Sequence, residues 1–164
     1  MKKKKWLVFF LIVLACILIF VFAINFLNKR KSIDDLVSQL EKSVNSSDLK
    51  SIVNLYPDYY HDTVFDLLSQ DKLDEFKNKT GDIEINIVNK TNYDLSQAKD
   101  IQNKIENNYK INLMIEDYQI VIVNITNNVG SVFEQTQLEV IRMGGEYYLY
   151  AQYFLGDLIQ CFAK

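Results

Sequence analysis

The chain of 164 residues is poor in the residue types that mark specialised scaffolds: one proline, two cysteines, five glycines, one tryptophan and one histidine. So few glycines and prolines exclude collagen-like and low-complexity chains, and two cysteines exclude a disulfide framework or a zinc ribbon. A hydrophobic fraction of 49% is too high for a disordered chain. Acidic residues are missing altogether from residues 1–31, which hold seven of the 18 basic ones. Residues 32–164 are left with 11 basic against 21 acidic side chains, a balance of −10. A surface that acidic repels phosphate backbones, so nucleic acid is not an expected partner. No Gly-rich phosphate loop, nucleophile elbow or paired metal-ligand motif occurs, and no cofactor is implied.

What is present at the start is a long apolar run. Trp6 to Leu27 carries no formal charge over 22 residues. As a helix it would be about 33 Å long, enough for a hydrocarbon core of roughly 30 Å. A cleavable signal peptide would be shorter and end in small residues. Val13-Leu14-Ala15-Cys16 resembles a lipoprotein cleavage box, but Ile17 to Phe22 continues apolar, so an uncleaved anchor is the favoured reading and lipidation of Cys16 the alternative. Lys2 to Lys5 against Lys29, Arg30 and Lys31 places the N-terminus in the cytoplasm by the positive-inside rule. The expected organisation is a basic cytoplasmic segment (1–5), a transmembrane helix (6–27), a basic juxtamembrane linker (28–31) whose cations meet anionic headgroups, and a domain outside the cell membrane (32–164). That domain holds only Cys161, so its core must stabilise it without an internal disulfide.

Two periodicities divide the domain. Ser32 followed by Asp34 and Asp35 reads as a helix start, with Ile33, Leu36, Val37, Leu40 and Val44 on one face. Leu49 to Tyr56 makes a second helix ended by Pro57, and Val64 to Phe76 one or two more. Period two then begins at Ile83, Ile85 and Ile87. Asp94 with Gln97 opens a helix through about Asn108, Ile111, Leu113 and Ile115 alternate as a further strand, and Tyr118 to Thr126 forms a longer one. Ser131 to Arg142 and Glu146 to Gln152 form a hairpin around Gly144-Gly145, and Tyr153 to Phe162 is amphipathic. Helices first and antiparallel strands later predict an α+β domain with N-terminal helices packed on a curved antiparallel sheet. The apolar alternating positions, Ile83, Ile85, Ile87, Ile111, Leu113, Ile115, Leu138 and Val140, are expected inside.

This order of elements, with Asp48-Leu49 to Leu55-Tyr56-Pro57, Asp117-Tyr118-Gln119-Ile120-Val121 and Gly144-Gly145-Glu146-Tyr147-Tyr148-Leu149, resembles the nuclear transport factor 2-like, cystatin-like cone superfamily. It is similar in particular to small extracytoplasmic members on lipid or membrane anchors in Gram-positive bacteria. Their last hairpin commonly reads Asp-Gly-Lys-Trp-Tyr-Leu; Gly144 stands here for the Asp, Glu146 for the Lys and Tyr147 for the Trp. Asp117 stands for their usual Gly. The resemblance implies a cone-shaped domain over about residues 32–152 and carries no catalytic residue over.

Among candidate sites, His61 is flanked by Asp58 and Asp62, a pattern that could orient a general base. A solvated loop histidine on an acidic surface gives the same pattern. Asp71, Asp74 and Glu75 lack the spacing of a calcium loop. Asn45, Asn78, Asn89 and Asn124 match glycosylation acceptors, as chance allows in a chain with 15 asparagines. Tyr118, Tyr148, Tyr150, Tyr153 and Phe154 form a dense aromatic set. Alternation sends Tyr147 and Leu149 to one strand face and Tyr148 and Tyr150 to the other. The second face is either packed under the C-terminal segment or a binding surface.

The leading expectation is a non-enzymatic binding or assembly domain, with a second copy or an envelope protein as partner. One version is similar to inner-membrane scaffold subunits of conjugative secretion channels. The alternatives are a small hydrophobic-ligand pocket protein and an enzyme using a cavity acid or base. Intact-mass spectrometry of the membrane-extracted protein should show an uncleaved, unlipidated N-terminal segment; a mature N-terminus at an acylated Cys16 would overturn the anchor reading.

Overall fold

The computed structural model describes Val13, Leu14, Ile17, residues 30–127 and residues 132–150. Val13, Leu14 and Ile17 are helical; the rest of the expected span at 6–27, the turn from residue 128 and the segment from 151 onward lie outside the described residues. No helix among the described residues is long and apolar enough to cross a membrane.

From Arg30 onward four helices precede the sheet: α1 (Ile33–Asn45), α2 (Leu49–Val53), α3 (His61–Leu67) and α4 (Gln70–Thr80). A 3-10 turn at Asp58–Tyr60 precedes α3. Ser32 and Asp35 close a reciprocal capping box on α1, as the sequence predicts. α2 ends at Val53 rather than Tyr56, because the amides of Leu55 and Tyr56 turn back to the carbonyls of Ile52 and Val53. After β1 (Ile83–Asn92) comes α5 (Leu95–Tyr109), opened by a second capping box between Asp94 and Gln97. Then follow β2 (Asp117–Asn127), β3 (Val132–Met143) and β4 (Glu146–Leu149). The four strands form one antiparallel sheet in the order β1-β2-β3-β4. Gly144 and Gly145 turn the last hairpin with φ of 56° and 77°, the left-handed pair a two-residue loop requires.

Alternation along β2 splits the core in two. Val121, Val123 and Ile125 meet Ile83, Ile85, Leu138, Val140 and Leu149 on one face, beneath Leu36, Leu40, Val44, Ile52, Leu55, Leu68, Leu73 and Phe76 of the helical layer. Tyr118 and Ile141 point to the opposite face and pack with Ala98 and Ile105 of α5 and with Ile115. The sheet is therefore sandwiched between helices. Each fully buried Leu or Ile contributes roughly 1.5–3 kcal/mol relative to an exposed position, and both faces share in it.

Two expectations need correcting. Residues 110–116 form no strand. Their alternation is real, since Ile111, Leu113 and Ile115 turn inward while Asn112 and Met114 are exposed. Their amides, however, bond to α5 side chains: Leu113 to Glu106 at 3.3 Å and Ile115 to Gln102 at 3.2 Å. They also join the α5 cluster rather than the one holding Ile83, Ile85, Leu138 and Val140. β1, in turn, runs past Ile87 to Asn92, because a bulge between Ile87 and Asn89 restores pairing with β2.

Both edges of the sheet are closed by the N-terminal part of the domain. At β1 the Asn45 side-chain amide donates to the Ile83 carbonyl and accepts from the Ile83 amide, each at 2.8 Å, and Glu41 accepts from the Ile85 amide at 2.8 Å. At β4 the amides of Tyr147 and Leu149 donate to the carbonyls of Arg30 and Leu55, each at 2.9 Å. Such contacts remove the free backbone groups through which exposed edges pair with other chains. Asn45→Ala should lower unfolding free energy by about 2 kcal/mol in urea titrations, the cost of two part-buried groups losing their partner. Asn78→Ala, on the exposed side of α4, should change it by less than about 0.5 kcal/mol.

Candidate functional site

The aromatic face singled out in the sequence lies on the α5 side of the sheet. Tyr118 is 8% exposed, its ring lies 5.1 Å from Tyr93, and its hydroxyl donates to Glu139 at 2.9 Å. Tyr148 and Tyr150 are half-buried against the same cluster, whereas Tyr147 and Leu149 pack with the other core, as strand alternation predicts. What covers this face among the described residues is α5 with residues 110–116. Tyr153 and Phe154 lie outside the described residues, as does the C-terminal segment expected to cover it.

The cluster is phenolic, with the Glu139 carboxylate bonded to Tyr118 and the Arg30 guanidinium over Tyr148. Burial, then the Glu139 carboxylate, pushes the Tyr118 hydroxyl above its ordinary range. Burial, then Glu139 and Tyr109, does the same at Tyr150. Tyr59, ring to ring with Tyr109 at 4.9 Å, is raised by burial and by its tyrosine neighbours. These groups stay protonated at neutral pH and can shape or hydrogen-bond a partner, but they cannot accept a proton there.

His61 does not sit in a loop, because the 3-10 turn carries the chain directly into α3 and His61 is its first residue. Its Nε2 is 3.0 Å from the Tyr56 carbonyl oxygen, so that nitrogen carries the ring proton and donates. Asp58, fully exposed, approaches the same nitrogen at 3.7 Å, while Asp62 lies exposed on α3. The three residues are neighbours without the orientation an acid–base pair requires. Of the acidic trio on α4, Asp74 accepts from Gln70 at 2.9 Å and Glu75 pairs with Lys79 at 2.7 Å. Among the described residues no group of three or more His, Cys, Asp or Glu side chains is placed to hold a metal ion.

The structure brings forward a residue that the sequence assigned to the membrane surface. Arg30 is 8% exposed. Its guanidinium donates to the Asn54 carbonyl, pairs with Glu146 at 3.3 Å and lies 4.4 Å over the Tyr148 ring. Arg30 is therefore engaged within the folded domain. A planar donor fork that serves a carbonyl, a carboxylate and an aromatic face at once is what arginine provides and lysine does not. Nothing in the local sequence could reveal it, because its partners are 24 and 116 residues away.

Comparison with models of protein families, with curated proteins and with solved structures finds no match for this chain. The functional reading therefore rests on the residues themselves.

Arg30→Ala should destabilise the protein by about 2–3 kcal/mol in denaturant titrations, since it strips a partner from a part-buried carboxylate and removes a cation–π contact. Arg30→Lys should recover part of that loss. A change below about 0.5 kcal/mol in Arg30→Ala would show the contact to be incidental.

Proposed function

We propose that this chain is a single-pass, membrane-anchored domain that works outside the cell membrane by binding or assembly, without catalysis of its own. The carrying observation is the point at which the folded domain takes hold of the chain. Arg30, three residues after the apolar run ends at Leu27, is already bonded to β4 through its main chain and to Glu146 through its side chain. An anchor joined this tightly holds the domain against the bilayer, with a tether of about 10 Å at full extension. The apolar character of Val13, Leu14 and Ile17, helical and exposed, suits a lipid-facing helix.

Several features support binding over turnover. His61 is engaged with a main-chain carbonyl, and the buried tyrosines are held protonated. On the outer layer Leu95, which helical periodicity puts on the inner side of α5 with Ala98, Ile101 and Ile105, is instead 78% exposed and Met114 73%, apolar side chains available to a second copy or an envelope protein. The helices-then-sheet order, and α1 packing against both edge strands, favour the cone architecture of the nuclear transport factor 2-like superfamily.

Topology tests the placement. With Cys161 replaced by Ser, an exposed Lys79→Cys variant of the full chain should react with a membrane-impermeant maleimide on intact cells, and the protein should resist alkaline carbonate extraction. Labelling only after permeabilisation, or release by carbonate, would overturn the reading.

A further inference from the structure

β3 is longer than the strand paired to its outer side. β2 matches it from Val132 to Arg142, whereas β4 matches it only from Val140 to Met143. One bond carries the second pairing a residue further, because the Tyr150 amide donates to the Glu139 carbonyl at 2.7 Å. Tyr150 is thus opposite Glu139, in the register that Val140 opposite Leu149 sets. From Leu138 back to Val132, β3 has no second strand beside it among the described residues.

Antiparallel geometry turns the main-chain groups of every second residue to the same side, so those of Gln137 and Gln135 face the way the Glu139 carbonyl does. The side chains of Gln135 and Gln137 are exposed, while Thr136 and Leu138 are buried on the helical-layer face. Gln135-Thr136-Gln137 carries neither charge nor proline, the usual guards of an edge against a further strand.

We propose that this side of β3 is a strand-acceptor site and that its occupant is the chain's own C-terminal segment, Ala151 to Leu155, added as a continuation of β4. The chain has 14 residues after Tyr150 and leaves that residue already in register. Five of them, at about 3.3 Å each, match the length of β3 from Leu138 to Glu134. In that register Ala151 lies opposite Leu138, Gln152 opposite Gln137 and Tyr153 opposite Thr136. Ala151, Tyr153 and Leu155 then share the buried face, and Gly156-Asp157 ends the run. A second copy can present a strand to the same edge, but it must come from solution. A segment joined directly to Tyr150 acts at an effective concentration of about millimolar or more. A partner that pairs with β3 through its main chain therefore has to displace this segment, and one that leaves it in place has to use the outer layer.

The test uses the full chain in neutral detergent, with Cys16 and Cys161 replaced by Ser and with Gln137→Cys and Gln152→Cys introduced together. Residues in a hydrogen-bonded antiparallel pair lie about 5.5 Å apart at Cα, within reach of a disulfide. Mild oxidation should give a monomer with an internal link between the two positions, identified by peptide mapping. Gln135→Cys with Gln152→Cys, two residues out of register, should link far less. A covalent dimer through position 137 would name a second copy as the occupant, and no link at all would leave the edge without the segment; either overturns the proposal. Amide exchange reads the same pairing without cysteines. Gln152→Pro removes the N–H that faces the Gln137 carbonyl and should speed exchange at the Gln137 amide by about tenfold, leaving Val121 of β2 unchanged. Equal exchange at Gln137 in parent and variant overturns the proposal as well.

Discussion

Everything in this domain depends on how a four-stranded sheet is finished at its two edges. Among the described residues the sheet is half edge, since two of its four strands each have one side without a strand partner. Here the 26 residues from Arg30 to Leu55 supply both closures: Glu41 and Asn45 at β1, and the carbonyls of Arg30 and Leu55 at β4. α1 packs against both edge strands. The buried stripe of α1, from Ile33 to Val44, can only be satisfied when those edges are in place. Edge closure and core formation thus draw on the same segment, Arg30 to Leu55.

The second layer follows from the first. With one face filled by the N-terminal helices, β2 still carries apolar residues at alternate positions on its other face, and these need cover. α5 and residues 110–116 provide it, using Gln102 and Glu106 to bind the amides of a segment that would otherwise need a strand partner. That arrangement explains what could and could not be read from the residues. Helix starts were legible because their signals are local: Ser32 with Asp35, and Asp94 with Gln97, lie three residues apart. So was the last turn, where Gly144 and Gly145 answer a backbone requirement. Residues 110–116 were not, because a period of two reports only that alternate side chains are buried, not whether the backbone's partner is a strand or a helix side chain. Asn45 was equally opaque; a glycosylation-like string and a β-edge clamp look the same until the partner at Ile83 is known.

The site residues divide on the same principle. His61 and its acidic neighbours drew attention because they are adjacent in sequence, yet adjacency placed the imidazole against a main-chain carbonyl and left Asp62 exposed on α3. Tyr148 and Tyr150 were assigned to the right face by alternation, but the cover over that face comes from a helix about 40 to 55 residues earlier in the chain. Arg30 was the least legible, since basic residues after an apolar run ordinarily suggest headgroup contacts and say nothing of partners within the fold. Its neighbours in space are Asn54, Glu146 and Tyr148, and only tertiary structure assembles them.

Arg30 also joins the two halves of the chain's logic. If the apolar run is the anchor proposed above, a flexible linker would let the domain wander from the bilayer, whereas a linker whose Arg30 is bonded to β4 leaves only the residues between Leu27 and Arg30 as tether. Any force or tilt transmitted through an anchor helix would reach β4 first, at the strand that also carries Tyr147 on one core and Tyr148 on the other.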